Sequence, residues 1–387
     1  MIINYSNSMA GPYHIDKGLP CQDSRCFKEG KDGIVIAAVA DGLGSMKFSE
    51  IGSKVACETA VEYCASHIEA EPDADAIKKH MNNAFVEAYR AVLVRADDDG
   101  NSRDEYDTTL CLAAYFPKQK KLFYGQSGDS GLVALLEDGR YIRVTDQQRD
   151  EDGCVYPLCF GPEMWVFGQV DGSVASFMLM TDGVFEQVCP ALLHREETDV
   201  NVRLARMFLD RSEVTAETVG QLEAASQKFL ENYPRKLLDD DKTVLTVINT
   251  DVKPAVREEA YYKAPDWEKL REKAKQIIYP PEEPPKPVPK PEKPAPEPPP
   301  KPETENLCLI DLRDLKEGIG RIWERCTGFF SFRSPPDSRS DRTSAVKSRS
   351  PTPAPKEAGS PKGPEPSGKT ARTDIPGDIP RKPFPRT

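Results

Sequence analysis

The chain has 387 residues and a net charge of −11, from 52 basic and 63 acidic side chains, so it lacks the basic footprint of a nucleic-acid binder. Length alone would allow two or three domains, but thirteen of the 23 positions from Pro280 to Pro302 are proline, and such a segment cannot donate the backbone hydrogen bonds of a packed core. One sizeable globular domain is therefore expected ahead of it, over 1–252.

Ten cysteines show no C-x-x-C pair and no regular framework, and several sit inside apolar runs as buried thiols do. With no secretory signal pattern and no apolar run near 18 residues, the reading is a reduced, cytoplasmic chain without a transmembrane segment.

Short apolar runs rich in β-branched and aromatic residues, each bounded by Gly, Asp or Asn, predict strands at Gly33–Ala40, Thr108–Phe116, Lys121–Gly125, Leu132–Leu136, Tyr141–Val144, Trp165–Val170, Ser176–Met180 and Thr243–Asn249. Between the first two, Cys57, Val61, Cys64 and Ile68, then Ile77, Met81, Phe85, Ala88 and Val92, keep helical spacing. A second helix pair is expected around Val202–Leu209 and Ala216–Tyr233. This order is not the alternation of a doubly wound sheet, because the middle is a run of closely spaced strands that favours antiparallel pairing. The expected fold is α+β: two antiparallel sheets packed as a sandwich and flanked by helices.

Beyond it, 253–279 is expected to be a helical or irregular extension and 280–303 an extended polyproline linker reaching about 70 Å. In 304–330, Leu312, Leu315, Ile319, Ile322, Trp323 and Cys326 lie at helical spacing, so this segment reads as an amphipathic helix needing another surface: a protein partner, the domain itself or a membrane interface. The Ser/Pro/Lys-rich remainder, 331–387, has the composition of a disordered tail.

The chemistry is carried by acidic residues at strand ends. "AAVADGLGS" runs an apolar strand into Asp41-Gly42, "MLMTDG" does the same at Asp182-Gly183, "GQSGDSG" sets Asp129 in a turn, and "LDDDKTV" places Asp239, Asp240 and Asp241 ahead of the last strand. "CQDS" adds Asp23. Any one of these is ordinary turn chemistry. Together, at one end of a sandwich, they would repel one another unless cations neutralised them, and oxygen donors without a histidine cluster suit Mg²⁺ or Mn²⁺. The Gly-x-Gly after Asp41 completes neither a Walker loop nor a dinucleotide fingerprint. Its glycines make better sense as freeing a main-chain carbonyl for a cation.

In that order, "HIDKGLPCQDS", "VADGLGS", "GQSGDSG", "MTDG" and "DDKTVLTV" resemble the metal-dependent Ser/Thr protein phosphatases of type 2C, in particular their bacterial branch. The resemblance implies a two-ion Mn²⁺ or Mg²⁺ centre in which Asp41 bridges both ions, the Gly42 carbonyl binds one, and Asp182 and Asp240 hold the other, these three aspartates carrying catalysis. It also implies that Asp23 acts through bound water and that Asp129 helps bind a third, weaker ion. Asp241 remains an alternative to Asp240, since three consecutive aspartates leave the register open by one.

The chain departs from the pattern at three places. His14 stands where many members have a phosphate-gripping arginine, and is assigned phosphate binding here; Gln22 replaces an acid before Asp23. Leu43 takes the place of a histidine found in eukaryotic members, which leaves the proton donor open between metal-bound water and His14. The resulting expectation is hydrolysis of phosphoserine and phosphothreonine in a phosphoprotein substrate, opposing a cognate Ser/Thr kinase. The alternative is an inactive adaptor that binds phosphoproteins and recruits a partner through the helix at 304–330.

Overall fold

The structure, a computed structural model, describes residues 1–69, 73–194, 196–210 and 214–278. The polyproline linker, the amphipathic helix and the Ser/Pro/Lys-rich tail lie outside the described residues. The described residues all fall within one compact unit.

In chain order it comprises β1 (Ile2–Met9), α1 (Pro12–Lys17), β2 (Asp23–Glu29), β3 (Val35–Asp41), α2 (Ser49–His67), α3 (Ala74–Asp98), β4 (Leu110–Phe116), β5 (Lys121–Ser127), β6 (Gly131–Leu136) and β7 (Tyr141–Arg143). There follow β8 (Val166–Gln169), β9 (Val174–Met180), α4 (Asp182–Val188), α5 (Val202–Leu209), α6 (Val219–Glu231), β10 (Lys242–Asn249) and α7 (Trp267–Ile278). One sheet has the order β1-β10-β9-β6-β7 and the other β2-β3-β4-β5-β8, with every pairing antiparallel. The α+β sandwich is thus the observed fold, and all eight expected strands are present.

Strand β3 shows why the layers stack as they do. Val35, Ala37 and Val39 belong to the core between the two sheets, with Leu132, Phe177, Leu179, Leu245 and Val247 opposite. Ile36, Ala38 and Ala40 belong instead to a core shared with Cys57, Val61, Cys64, Met81, Phe85 and Val92 of α2 and α3. Both faces of β3 are covered, so its sequence is a continuous apolar run rather than an alternation. On the far side, Val133, Met178 and Met180 pack under Val184, Phe185, Val188, Ala205 and Phe208 of α4 and α5. Each large aliphatic or aromatic side chain so buried contributes about 1.5–3 kcal/mol.

The ends of the strands are set by turn chemistry. The expected strand start at Gly33 moves to Val35 because Lys31–Gly33 forms a single tight turn with Gly33 at φ 76°. Two strands not expected, β1 and β2, are edge strands, paired only to β10 and β3 respectively. All eight described cysteines are free thiols, as the sequence leads one to expect.

Candidate metal centre

Antiparallel pairing brings one end of both sheets to a common edge. The β2–β3 ladder sets Asp23 directly opposite Asp41. Asp129 lies in the turn joining β5 to β6, which carries the chain from one sheet to the other. In the second sheet, β9 runs out through Thr181 into Asp182, and Asp240 lies two residues before the start of the neighbouring strand β10. The structure therefore brings Asp23, Asp41, Asp129, Asp182 and Asp240 to the same end of the sandwich. Carboxylate oxygens of Asp41, Asp129 and Asp182 all lie within 4.8 Å of one another.

Glycines make these approaches sterically feasible. A Cβ at Gly42 would stand 2.6 Å from the backbone of Ser49, and one at Gly11 would stand 2.2 Å from the backbone carbonyl group of Asp240. Loop 239–241 is fixed by this contact, with the Tyr13 N–H donating to the Asp239 carbonyl at 3.1 Å. The strand end at Asp41 is held by its own backbone: its N–H donates to Thr109 Oγ1 at 2.9 Å, and its carbonyl accepts from the Thr109 N–H and Thr108 Oγ1. Among the described residues no hydrogen bond ends on the Gly42 carbonyl.

The neighbouring aspartates differ in what they touch. Asp241 is consumed by protein partners: Oδ1 accepts the Gly11 N–H at 2.7 Å, Oδ2 accepts the Gln22 N–H at 2.6 Å, and His14 Nδ1 lies 2.7 Å from Oδ1. Asp240 is exposed, and its Oδ1 accepts the N–H of Asp241 at 2.8 Å. His14, expected to grip phosphate, is instead buried against Asp241. Its short helix α1 packs on loop 239–241 and turns the imidazole inward, leaving 6% of the side chain exposed.

Burial and crowding raise the proton affinity of the cluster. Asp41 is held well above the usual carboxylate range by burial, then by the charges of Asp23, Asp182, Asp129 and Asp240. Asp182 is pushed up to about 7 by burial and the charges of Asp129 and Asp240. Asp23 rises through burial and the charge of Asp241; Thr181 Oγ1, donating to its Oδ2 at 2.8 Å, opposes the shift. The other oxygen of Asp23, Oδ1, is buried without a protein hydrogen-bond partner. A set of hard oxygen donors that is destabilised as anions, with one buried oxygen left over, fits a divalent cation of the Mg²⁺ or Mn²⁺ type.

Two residues of the site were not legible in advance. Arg149, from the segment between β7 and β8, places its guanidinium among the carboxylates: Nη2 lies 2.7 Å from Asp129 Oδ2, 3.0 Å from Asp182 Oδ2 and 3.0 Å from Glu186 Oε1. Glu186 is one helical turn after Asp182 on α4, and that i, i+4 spacing was its available signal. The stretch "DQQRDEDG" around Arg149 carries no such pattern.

No curated protein sequence matches the chain. Among solved structures, a bacterial serine phosphatase is 12% identical with a TM-score of 0.45, covering 66% of this chain and 100% of its own. A serine/threonine phosphatase from Staphylococcus aureus is 15% identical with a TM-score of 0.44, over 64% of this chain and 95% of its own. The corresponding enzyme from S. agalactiae has the same identity and TM-score, over 64% and 99%. The family model of protein phosphatase 2C matches residues 10–231, more than half of the chain and most of the described sandwich. With its strand order and its acidic strand ends, the chain therefore belongs to the protein phosphatase 2C family, whose members are metal-dependent protein Ser/Thr phosphatases.

Proposed function

We propose that this phosphatase hydrolyses phosphoserine and phosphothreonine on a protein substrate at a two-ion centre built on Asp41, and that it opposes a Ser/Thr kinase. The observation that carries the reading is the convergence of the carboxylates on one edge of the sandwich, with Asp41 at the crossing point between Asp23 of its own sheet and Asp182 of the other. Asp41 is assigned as the bridging ligand, with the Gly42 carbonyl on one ion and Asp182 and Asp240 on the other. Asp240 is preferred to Asp241 because both oxygens of the latter already accept backbone N–H groups, of Gly11 and Gln22, and it lies against His14. Asp23 is assigned to a water in the second coordination layer through its free Oδ1. Asp129 is assigned to a further, weaker ion.

Bound Mn²⁺ or Mg²⁺ would supply an acidified water for in-line attack and charge to match the phosphoryl oxygens. The chain's own contribution is positional. The ladders of β2–β3 and β9–β10 fix where the carboxylates stand, and the Thr108, Thr109 and Thr181 hydroxyls hold the backbone and side chains that present them. Preorganisation of this kind avoids the cost of gathering like charges at the moment of reaction. No observation favours the inactive-adaptor alternative.

The test is release of inorganic phosphate from phosphothreonine and phosphoserine peptides with Mn²⁺ or Mg²⁺. The reading expects metal-dependent release that Asp41→Ala reduces by at least about 10²-fold. Release that continues in excess chelator, or survives Asp41→Ala, overturns it.

A further inference from the structure

The carboxylates at this site are already partly neutralised by a cation that belongs to the chain. Asp129 is 1% exposed, and its Oδ2 accepts a hydrogen bond from Arg149 Nε at 2.8 Å, with Nη2 of the same guanidinium 2.7 Å away as an ion-pair contact. The same Nη2 donates to Asp182 Oδ2 at 3.0 Å. A divalent ion coordinated by an aspartate oxygen approaches to about 2.0–2.6 Å. On Oδ2 such an ion would stand against an N–H donor and a like charge, and the two would repel.

We propose that Arg149 is an internal counter-cation that competes with the divalent ion for Asp129 and Asp182, and so sets the affinity of that ion site. The inference rests on the preceding assignment of Asp129 and Asp182 as ligands and goes beyond it by naming the positive group of the chain with which the ion competes.

The surroundings of Arg149 suit a side chain that switches rather than a loop that opens. Its preceding residue is tied to the residue preceding Asp129 from both directions: the Gln148 N–H donates to the Gly128 carbonyl at 3.1 Å, and the Gly128 N–H donates to Gln148 Oε1 at 2.8 Å. Gln148 Nε2 reaches the Met164 carbonyl, the Tyr156 N–H donates to the Gln148 carbonyl, and Arg149 bridges to Val155 across a short hairpin. The backbone of Arg149 is thus anchored to the turn that carries Asp129. The guanidinium has an outer acceptor waiting: Glu186 Oε1, on a side chain 45% exposed, receives Nη2 at 3.0 Å and Gln147 Nε2 at 3.4 Å. Rotation of the side chain toward Glu186 would free Asp129 and Asp182 without moving the main chain. A partly exposed arginine that keeps one acceptor loses less on displacement than one driven wholly from its partners.

The experiment is Mn²⁺ titration of the full chain by calorimetry, comparing the wild type with Arg149→Ala, Arg149→Met, Arg149→Lys and Asp129→Asn. Asp129→Asn identifies the class of ion that depends on Asp129. For that class the proposal expects Arg149→Ala and Arg149→Met to bind about 10-fold or more tightly than the wild type, a change on the scale of a lost charged hydrogen bond. Arg149→Lys, which keeps a charge, should stay within a few-fold of the wild type. A gain in affinity cannot come from misfolding, so a merely structural arginine would not produce it. If both neutral variants bind that class no more tightly than the wild type, the proposal is overturned while the metal assignment stands. If Asp129→Asn removes no class, the assignment of Asp129 itself fails, and the proposal with it.

Discussion

Asp23 and Asp41 stand directly across from each other on the terminal rung of the β2–β3 ladder, Asp23 buried and Asp41 partly so. Like charges opposite one another in a sheet are destabilising by a sizeable fraction of 1 kcal/mol or more, and burial increases the penalty. Asp41→Asn removes one of them. The metal-free variant should unfold about 2–4 °C above the metal-free wild type, the shift that corresponds to about 1 kcal/mol in a domain of this size. The same variant should lose the rise in midpoint that Mn²⁺ gives the wild type. Differential scanning calorimetry with and without Mn²⁺ reads both effects, and a metal-free variant less stable than the wild type would contradict the account.

The raised carboxylates also fix a pH dependence. Burial and neighbouring charges push Asp182 up to about 7 and raise Asp41 and Asp23 in the same direction, against an unfolded value near 4. Between those values the folded state binds more protons than the unfolded state, so stability declines as pH rises from about 4 through 7. Metal-free protein should therefore be less stable at pH 8 than at pH 5.5. Saturating Mn²⁺, which binds the ionised form, should flatten or reverse that slope. Urea unfolding at the two pH values, with and without metal, measures the difference.

Asp240 and Asp241 should separate cleanly by mutation. Asp241→Ala leaves the Gly11 and Gln22 N–H groups without their acceptor beside buried His14, and a buried donor left unsatisfied costs about 1–3 kcal/mol. Asp240→Ala, at an exposed position, should leave chemical stability almost unchanged and weaken Mn²⁺ binding by about 10-fold or more. Equal losses of stability in the two variants would argue against the distinct roles.

Gly11 offers a test of the backbone contact that places Asp240. A methyl at this position would stand 2.2 Å from the Asp240 carbonyl group, so Gly11→Ala must push loop 239–241 away. Overpacking of this sort costs about 1–3 kcal/mol. The variant should show both a lower urea midpoint and weaker Mn²⁺ binding; unchanged metal affinity would mean that loop 239–241 does not position a ligand.

Much of this was readable from the residues because the interior strands announce themselves. "IVIAAVAD" and "LCLAAYF" are apolar on both faces, and the sandwich core is where they lie. The acidic strand ends were readable for the same reason, since an apolar run stopping at Asp-Gly marks both a strand terminus and a candidate ligand. Edge strands were harder: "IINYSNSM" mixes apolar with Asn and Ser because only one side of its ladder is paired. Helix α4 is seven residues long, too short to show a period, so Asp182 read as a strand end although it begins a helix.

What the sequence could not convey was which polar groups are already spent. Asp240 and Asp241 are chemically identical and adjacent, and only tertiary contacts show that one is committed to Gly11, Gln22 and His14. The place of His14 in the motif points to a phosphate ligand; the carboxylate it lies against, more than 200 residues away, is visible only once the chain is folded. Arg149 is the same case in reverse, a loop residue without a motif that the fold delivers to Asp129.

The most direct test of the central claim is anomalous scattering from crystals grown with Mn²⁺. The account predicts two strong peaks sharing Asp41, one also bordered by Asp182 and Asp240. Crystals saturated with Mn²⁺ that show no peak at Asp41, or ions bound only elsewhere, would contradict it.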